Sequence, residues 1–139
     1  MTLEERRSWV YLVVAVVGYG VYLATVLTKA ASAPLVDTDY VPAMLFTIGA
    51  AIVVGIVVNI AVGIFTPRLD QTKDVRDRDI GQLGDRVGQA FLVVGGVTAL
   101  LLAITEAPYF YIANVVYLCF VLSAVLGAVT KVVVYRRGF

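Results

Sequence analysis

The sequence has no histidine, a single cysteine (Cys119) and a charged fraction of only 15% over 139 residues. Without imidazole or a second thiol, one chain cannot assemble the usual zinc, haem or iron–sulfur ligand sets, a thiol–disulfide relay, or histidine acid–base chemistry. No cofactor is expected. Cys119 sits in an apolar stretch, where a lone thiol packs as a small hydrophobe. No uncompensated basic patch is present, which argues against nucleic-acid binding.

What is present is apolar. Hydrophobic residues make up 60% of the chain and the mean hydropathy is +0.91, well beyond a soluble domain, which averages roughly 45–50% apolar and 25% charged. Four runs meet the length needed to cross a bilayer. They extend from about Ser8 to Leu27, Pro42 to Phe65, Val87 to Thr105 and Tyr109 to Tyr135. Little chain remains for anything else. The expected fold is all-α, a single polytopic transmembrane domain over 1–139, with four helices in an antiparallel bundle and a charged loop at 66–86.

The basic residues are unevenly distributed. Ten of eleven fall before the first run, in the middle loop, or after the last run, and only Lys29 lies on the other side. By the positive-inside rule both termini and the middle loop face the cytoplasm. Arg6 and Arg7 with the small residues Ala31, Ser32 and Ala33 also resemble the flanks of a secretory signal. The apolar region between them, at roughly 20 residues, exceeds the 7–15 of a signal core, so it is read as a retained span. Trp9, Tyr11, Tyr40, Tyr109, Phe110 and Tyr111 form aromatic belts at the two boundaries. Lys131 is expected to snorkel from the end of the fourth run.

Within lipid, small residues and interhelical hydrogen bonds decide which faces meet. Small residues recur at helical spacing as Ala51, Gly55, Asn59 and Gly63, as Gly84, Gly88 and Gly95, and as Cys119, Ser123 and Gly127. Gly55, Gly63, Gly84, Gly88 and Gly127 are the expected packing positions. Asn59 and Asn114 are amides inside apolar runs, each needing a partner or a wet cavity. With Ser123 they are candidates for interhelical hydrogen bonds or for ligand contact. Glu106 precedes Pro108 and either caps the N-terminus of the fourth helix, where anions are stabilised, or gates an outer vestibule with Tyr109.

The middle loop carries five acids beside five bases. Asp70 with Lys73 and Asp74 with Arg78 have the spacing of helical ion pairs, and Ile80, Leu83 and Val87 form an apolar edge. This pattern gives a short surface helix leading into the third span, loosened by Gly81 and Gly84. Its face is solvated or meets a partner protein, or Arg76, Arg78 and Arg86 hold anionic lipid headgroups. A divalent-cation site at Asp70, Asp74 and Asp77 is opposed by the interleaved arginines.

The segments Lys73-Asp-Val-Arg-Asp-Arg-Asp-Ile80, Gly84-Asp-Arg-Val-Gly88, Tyr117-Leu-Cys-Phe-Val-Leu-Ser123 and Tyr135-Arg-Arg-Gly-Phe139 resemble a family of small bacterial four-span integral membrane proteins with no assigned activity. The resemblance spans about the last two-thirds of the chain. It implies a fold and a bacterial plasma membrane, and no chemistry.

Two functions follow as expectations. The first is a non-enzymatic membrane protein that acts by helix association, as a homo-oligomer or as an accessory subunit of a membrane partner. The second is an oligomeric transporter or channel for a small solute or ion, with Asn59, Asn114, Ser123 and Tyr117 along a polar path. No carboxylate lies in the middle of a span, which weakens proton-coupled transport.

Overall fold

The structure, a computed structural model, describes residues 2–32, 34, 37–67 and 74–138. It contains four helices, α1 (Leu3–Ala30), α2 (Val41–Phe65), α3 (Val75–Ile104) and α4 (Tyr109–Arg137), and no strand among the described residues. Each is long and apolar enough to cross a membrane. The chain therefore has the architecture of a small multi-pass integral membrane protein.

Local chemistry sets the helix ends. Thr2 caps α1 by accepting the Glu5 N–H at 3.2 Å, and Glu4 and Glu5 sit in its first turn, where the helix dipole favours acids. Pro42 occupies the first turn of α2, where its missing N–H is harmless. Asp74 starts α3 with a capping box: its carboxylate accepts the Asp77 N–H at 2.7 Å, and Asp77 accepts the Asp74 N–H at 3.3 Å. The Asp74 carboxylate thus serves the cap, which differs from the ion pair with Arg78 expected from spacing. Asp70 and Lys73 lie outside the described residues. From Val75 onward the charged segment is continuous with the third span, and Gly81 and Gly84 do not interrupt it. Ile80 faces inward and is fully buried, with Leu83 and Val87 half-buried beside it. Threonine hydroxyls within the apolar runs donate to carbonyls one turn back, as Thr25 does to Val21 and Thr98 to Val94, so these hydroxyls do not meet lipid unpaired.

The extensive helix contacts are α3 with α4, α1 with α2 and α1 with α4. The bundle is antiparallel, with α1 and α4 central and α2 and α3 on its flanks. At the end holding the α3–α4 turn, the core is aromatic: Tyr22 and Val26 from α1, Ala43 from α2, and Phe110 and Tyr117 from α4. The rings of Tyr22 and Tyr117 meet edge to face at 4.8 Å, and Tyr19 packs edge-on to Tyr117 at 5.3 Å. Tyr40 and Phe110 pack against one another at 5.3 Å, so these two members of the expected belt turn inward while Tyr109 is exposed.

The α3–α4 seam depends on glycine. A Cβ on Gly88 would lie 2.9 Å from the Ser123 carbonyl oxygen, one on Gly84 would lie 2.8 Å from the Gly127 oxygen, and one on Gly95 would lie 2.5 Å from the Cys119 Cβ. Two helices that touch through backbone gain dispersion contact along their length, which is the main attraction available in lipid.

Candidate functional site

The antiparallel arrangement brings the start of α1, the end of α2, the start of α3 and the end of α4 to one end of the molecule, where most of the basic residues lie. Polar links tie the four together there. Arg6 Nη1 donates to Thr66 Oγ1 at 3.3 Å, Arg136 Nε donates to Glu5 Oε1 at 2.9 Å, and the Tyr135 hydroxyl donates to Asp77 Oδ1 at 2.5 Å. Lys131 Nζ lies 2.8 Å from Asp85 Oδ1. Lys131 thus reaches toward the polar boundary as a snorkelling lysine does, and its stem lies across Gly84, with Cγ and Cε each 2.5 Å from where a Cβ would stand.

Between α1 and α3, over the small residues of α4, the helices leave two adjoining cavities. The first, about 330 Å³, is floored by Ser123, Ala124, Gly127 and Ala128 and walled by Gly88, Gln89 and Leu92 of α3. The second, about 170 Å³, is lined by Glu4 and Arg7 of α1, Asp77 and Gly81 of α3, and Tyr135 of α4. Both share Ser8, Tyr11, Asp85 and Lys131. They form one cleft, charged at the terminal end and apolar toward the middle of the molecule.

The cleft exists because α4 carries residues without bulk where α1 and α3 would otherwise be wedged apart by side chains. Sequence reading did not find it. Its polar members, Glu4, Arg7, Asp77, Asp85, Lys131 and Tyr135, come from three helices and are far apart along the chain. The signal that could have found them is the short connection at 105–108, which fixes the register of α3 against α4 and sets Asp85 opposite Lys131 and Asp77 opposite Tyr135.

The residues singled out in the sequence are distributed over several places. Asn114 accepts the hydroxyl proton of the fully buried Tyr22, joining α4 to α1, and returns its own N–H to the Phe110 carbonyl at 2.7 Å. Close by, the hydroxyls of Thr47 and Tyr117 share a hydrogen bond of 3.1 Å that joins α2 to α4. Asn59 lies toward the opposite end of α2 and donates to its own helix, to the Gly55 carbonyl at 3.0 Å. Its Oδ1 is buried with no partner among the described residues. Ser123 belongs to the α3–α4 seam against Gly88. These positions do not line one path through the chain.

Among the expected packing glycines, Gly84, Gly88 and Gly127 meet facing atoms of the α3–α4 seam. Gly63 faces the Arg7 guanidinium, 3.8 Å from where its Cβ would stand, and Gly55 has no neighbouring atom within 4 Å of that point. Arg76, Arg78 and Arg86 are exposed on α3 and take no part in lining the cleft.

The expected cap at Glu106 is corrected by the structure. Glu106 does not cap α4, whose first turn has no side-chain cap. It ends α3 instead, in the left-handed region with φ 55°. The Glu106 N–H donates to the Ala103 carbonyl at 3.1 Å and the Ala107 N–H to the Leu102 carbonyl at 2.9 Å, which is the paired pattern of a Schellman turn. The connection is so short that one residue must reverse the backbone, and that residue is Glu106.

Comparison with protein-family models, with characterised proteins and with solved structures finds no match to this chain, so the family resemblance rests on the quoted sequence segments alone.

Proposed function

We propose that the protein is a non-enzymatic membrane component that works by helix association, forming a homo-oligomer or serving as the accessory subunit of another membrane protein. One observation carries this reading: the bundle is open. Its flanking helices α2 and α3 each pack extensively on one neighbour and not on each other. Only 6% of the most apolar window of α2 is buried within the chain, against 17% for α4. Gly49 on α2 and Gly96 on α3 are exposed and face no atom within 4 Å of where a Cβ would stand. A helix without side-chain bulk at such points admits the close approach of another helix.

Composition supports the non-enzymatic part, since a chain without histidine and with one buried thiol has few groups that titrate near neutral pH. The scatter of Asn59, Asn114 and Ser123 over separate contacts favours association over transport along a path within one chain. On the positive-inside rule, both termini and the start of α3 face the cytoplasm of a bacterial cell.

The test is subunit counting by single-molecule photobleaching of the full chain in liposomes. The wild type is expected as a dimer or larger species. Gly49→Leu combined with Gly96→Leu is expected to yield monomers whose thermal midpoint in detergent matches the wild type, because both positions are exposed and a Cβ at either meets no atom of the chain within 4 Å. A single bleaching step for the wild type at every protein-to-lipid ratio, or unchanged stoichiometry in the double variant, sinks the homo-oligomer.

A further inference from the structure

The cleft between α1, α3 and α4 sits at a particular depth. From Val87 to Ile104 α3 carries no charge, roughly 27 Å at about 1.5 Å per residue, close to the hydrocarbon thickness of about 30 Å. The Asp85–Lys131 pair therefore marks one edge of the apolar layer. On one side of that pair the cleft is apolar, bounded by Leu92 and Ala124. On the other it is lined by Glu4, Arg7, Asp77 and Tyr135. A single opening thus passes from hydrocarbon depth to headgroup depth.

The charge inventory narrows the occupant. Arg7 is paired with Glu4 at 3.4 Å and Lys131 with Asp85 at 2.8 Å, while the buried Asp77 carboxylate accepts from the Tyr135 hydroxyl and the Asp74 N–H, so the exposed Asp85 and its Lys131 partner are the charges a ligand meets first. A lone anion entering the cleft meets three carboxylates, and a lone cation meets a guanidinium and an ammonium. A molecule carrying both signs extends the alternation of charge: its phosphate accepts from Lys131 and its ammonium donates to the exposed Asp85, so that one ion pair within the chain becomes two with the headgroup. The tyrosine rings of Tyr11 and Tyr135 add faces that attract a cation. An apolar tail on the same molecule would lie over Ala124 and beside Leu92.

We propose that this cleft seats one phospholipid with a zwitterionic ammonium–phosphate headgroup, its head between Lys131 and Asp85 and an acyl chain along the groove between α1 and α3. The seat differs in place and in charge from the exposed arginines of α3, which would attract anionic lipid of any kind. It does not depend on how copies of the chain associate.

Native mass spectrometry of the full chain tests this, after equilibration in micelles holding equal amounts of phosphatidylethanolamine and phosphatidylglycerol with the same acyl chains. One retained phosphatidylethanolamine per chain is expected, preferred about fivefold, the scale of one partly exposed ion pair. Asp85→Asn and Lys131→Gln should each reduce that preference to near unity, whereas Arg76→Gln with Arg78→Gln should leave it intact. The Asp85 side chain is 76% exposed, so its amide variant keeps the fold and reads the site even if the Lys131 variant does not. Equal or greater retention of phosphatidylglycerol, no discrete adduct, or a preference indifferent to Asp85→Asn would overturn the proposal.

Discussion

At Glu106 the backbone adopts a conformation that an L-residue reaches only at a penalty of roughly 1–2 kcal/mol, and the side chain is exposed and caps neither helix. Glu106→Gly removes the Cβ responsible. It is expected to raise stability by about 1 kcal/mol, seen as a higher thermal midpoint in detergent, while Glu106→Ala keeps the strain and gains nothing comparable. A carboxylate that stabilised the start of α4 would give the opposite sign, a lower midpoint for both variants. The sequence shows an acid beside a proline, and that pattern fits an N-cap equally well. What it does not show is the backbone angle imposed by so short a turn. Asn59 teaches the same lesson. An amide in an apolar run needs a partner, but whether the partner lies across the bundle, as Tyr22 does for Asn114, or one turn back, as the Gly55 carbonyl does for Asn59, depends on which way each helix faces.

For helices, length and apolar content were enough to define all four from sequence, because a bilayer demands both and few charges interrupt them. The charged stretch before the third span was harder. Its capping box and the inward turn of Ile80 make residues from Val75 onward one continuous helix with that span. The seam between α3 and α4 was legible in part, since its glycines recur at helical spacing, and the tight turn then sets their partners. The midpoint of every pair, Gly84 with Gly127, Gly88 with Ser123, Gly95 with Cys119 and Asp77 with Tyr135, falls between Thr105 and Pro108. Adjacent glycines make the test clean. A Cβ on Gly95 would collide with Cys119, while one on Gly96 meets nothing within 4 Å. Gly95→Ala is expected to destabilise by about 1–3 kcal/mol through overpacking, and Gly96→Ala to stabilise by up to about 1 kcal/mol through helix propensity. Adding Cys119→Gly to Gly95→Ala returns the missing space and should recover most of the loss. Equal midpoints for the two single variants would mean that α3 and α4 do not meet at this point.

Across the whole molecule, the two ends are chemically unlike. The terminal end holds Arg6, Arg7, Arg76, Arg78, Arg86, Lys131, Arg136 and Arg137 beside the acids that pair with some of them, whereas among the described residues Lys29 is the sole basic residue of the other end. That asymmetry was visible in the sequence, but the cleft it encloses was not, because a cavity depends on the angle at which α1 leaves α3 and no periodicity encodes that angle. The helices are also longer than the bilayer requires: α3, with 30 residues, extends about 45 Å at about 1.5 Å per residue, against a hydrocarbon layer of about 30 Å. Its surplus is the charged segment from Val75 to Arg86, which the proposed reading sets in water on the cytoplasmic side. Cysteine labelling of inverted and right-side-out bacterial vesicles, in a Cys119→Ala background, examines that placement. Val75 and Tyr109 are 72% and 84% exposed, and neither is a packing position. Val75→Cys and Gly138→Cys should react with a membrane-impermeant maleimide only in inverted vesicles, and Tyr109→Cys only in right-side-out ones. Because α3 and α4 are joined by a turn too short to cross a bilayer, labelling of Val75→Cys and Gly138→Cys from opposite sides would require one of these two helices not to span, and the antiparallel seam between them could not then exist in the membrane.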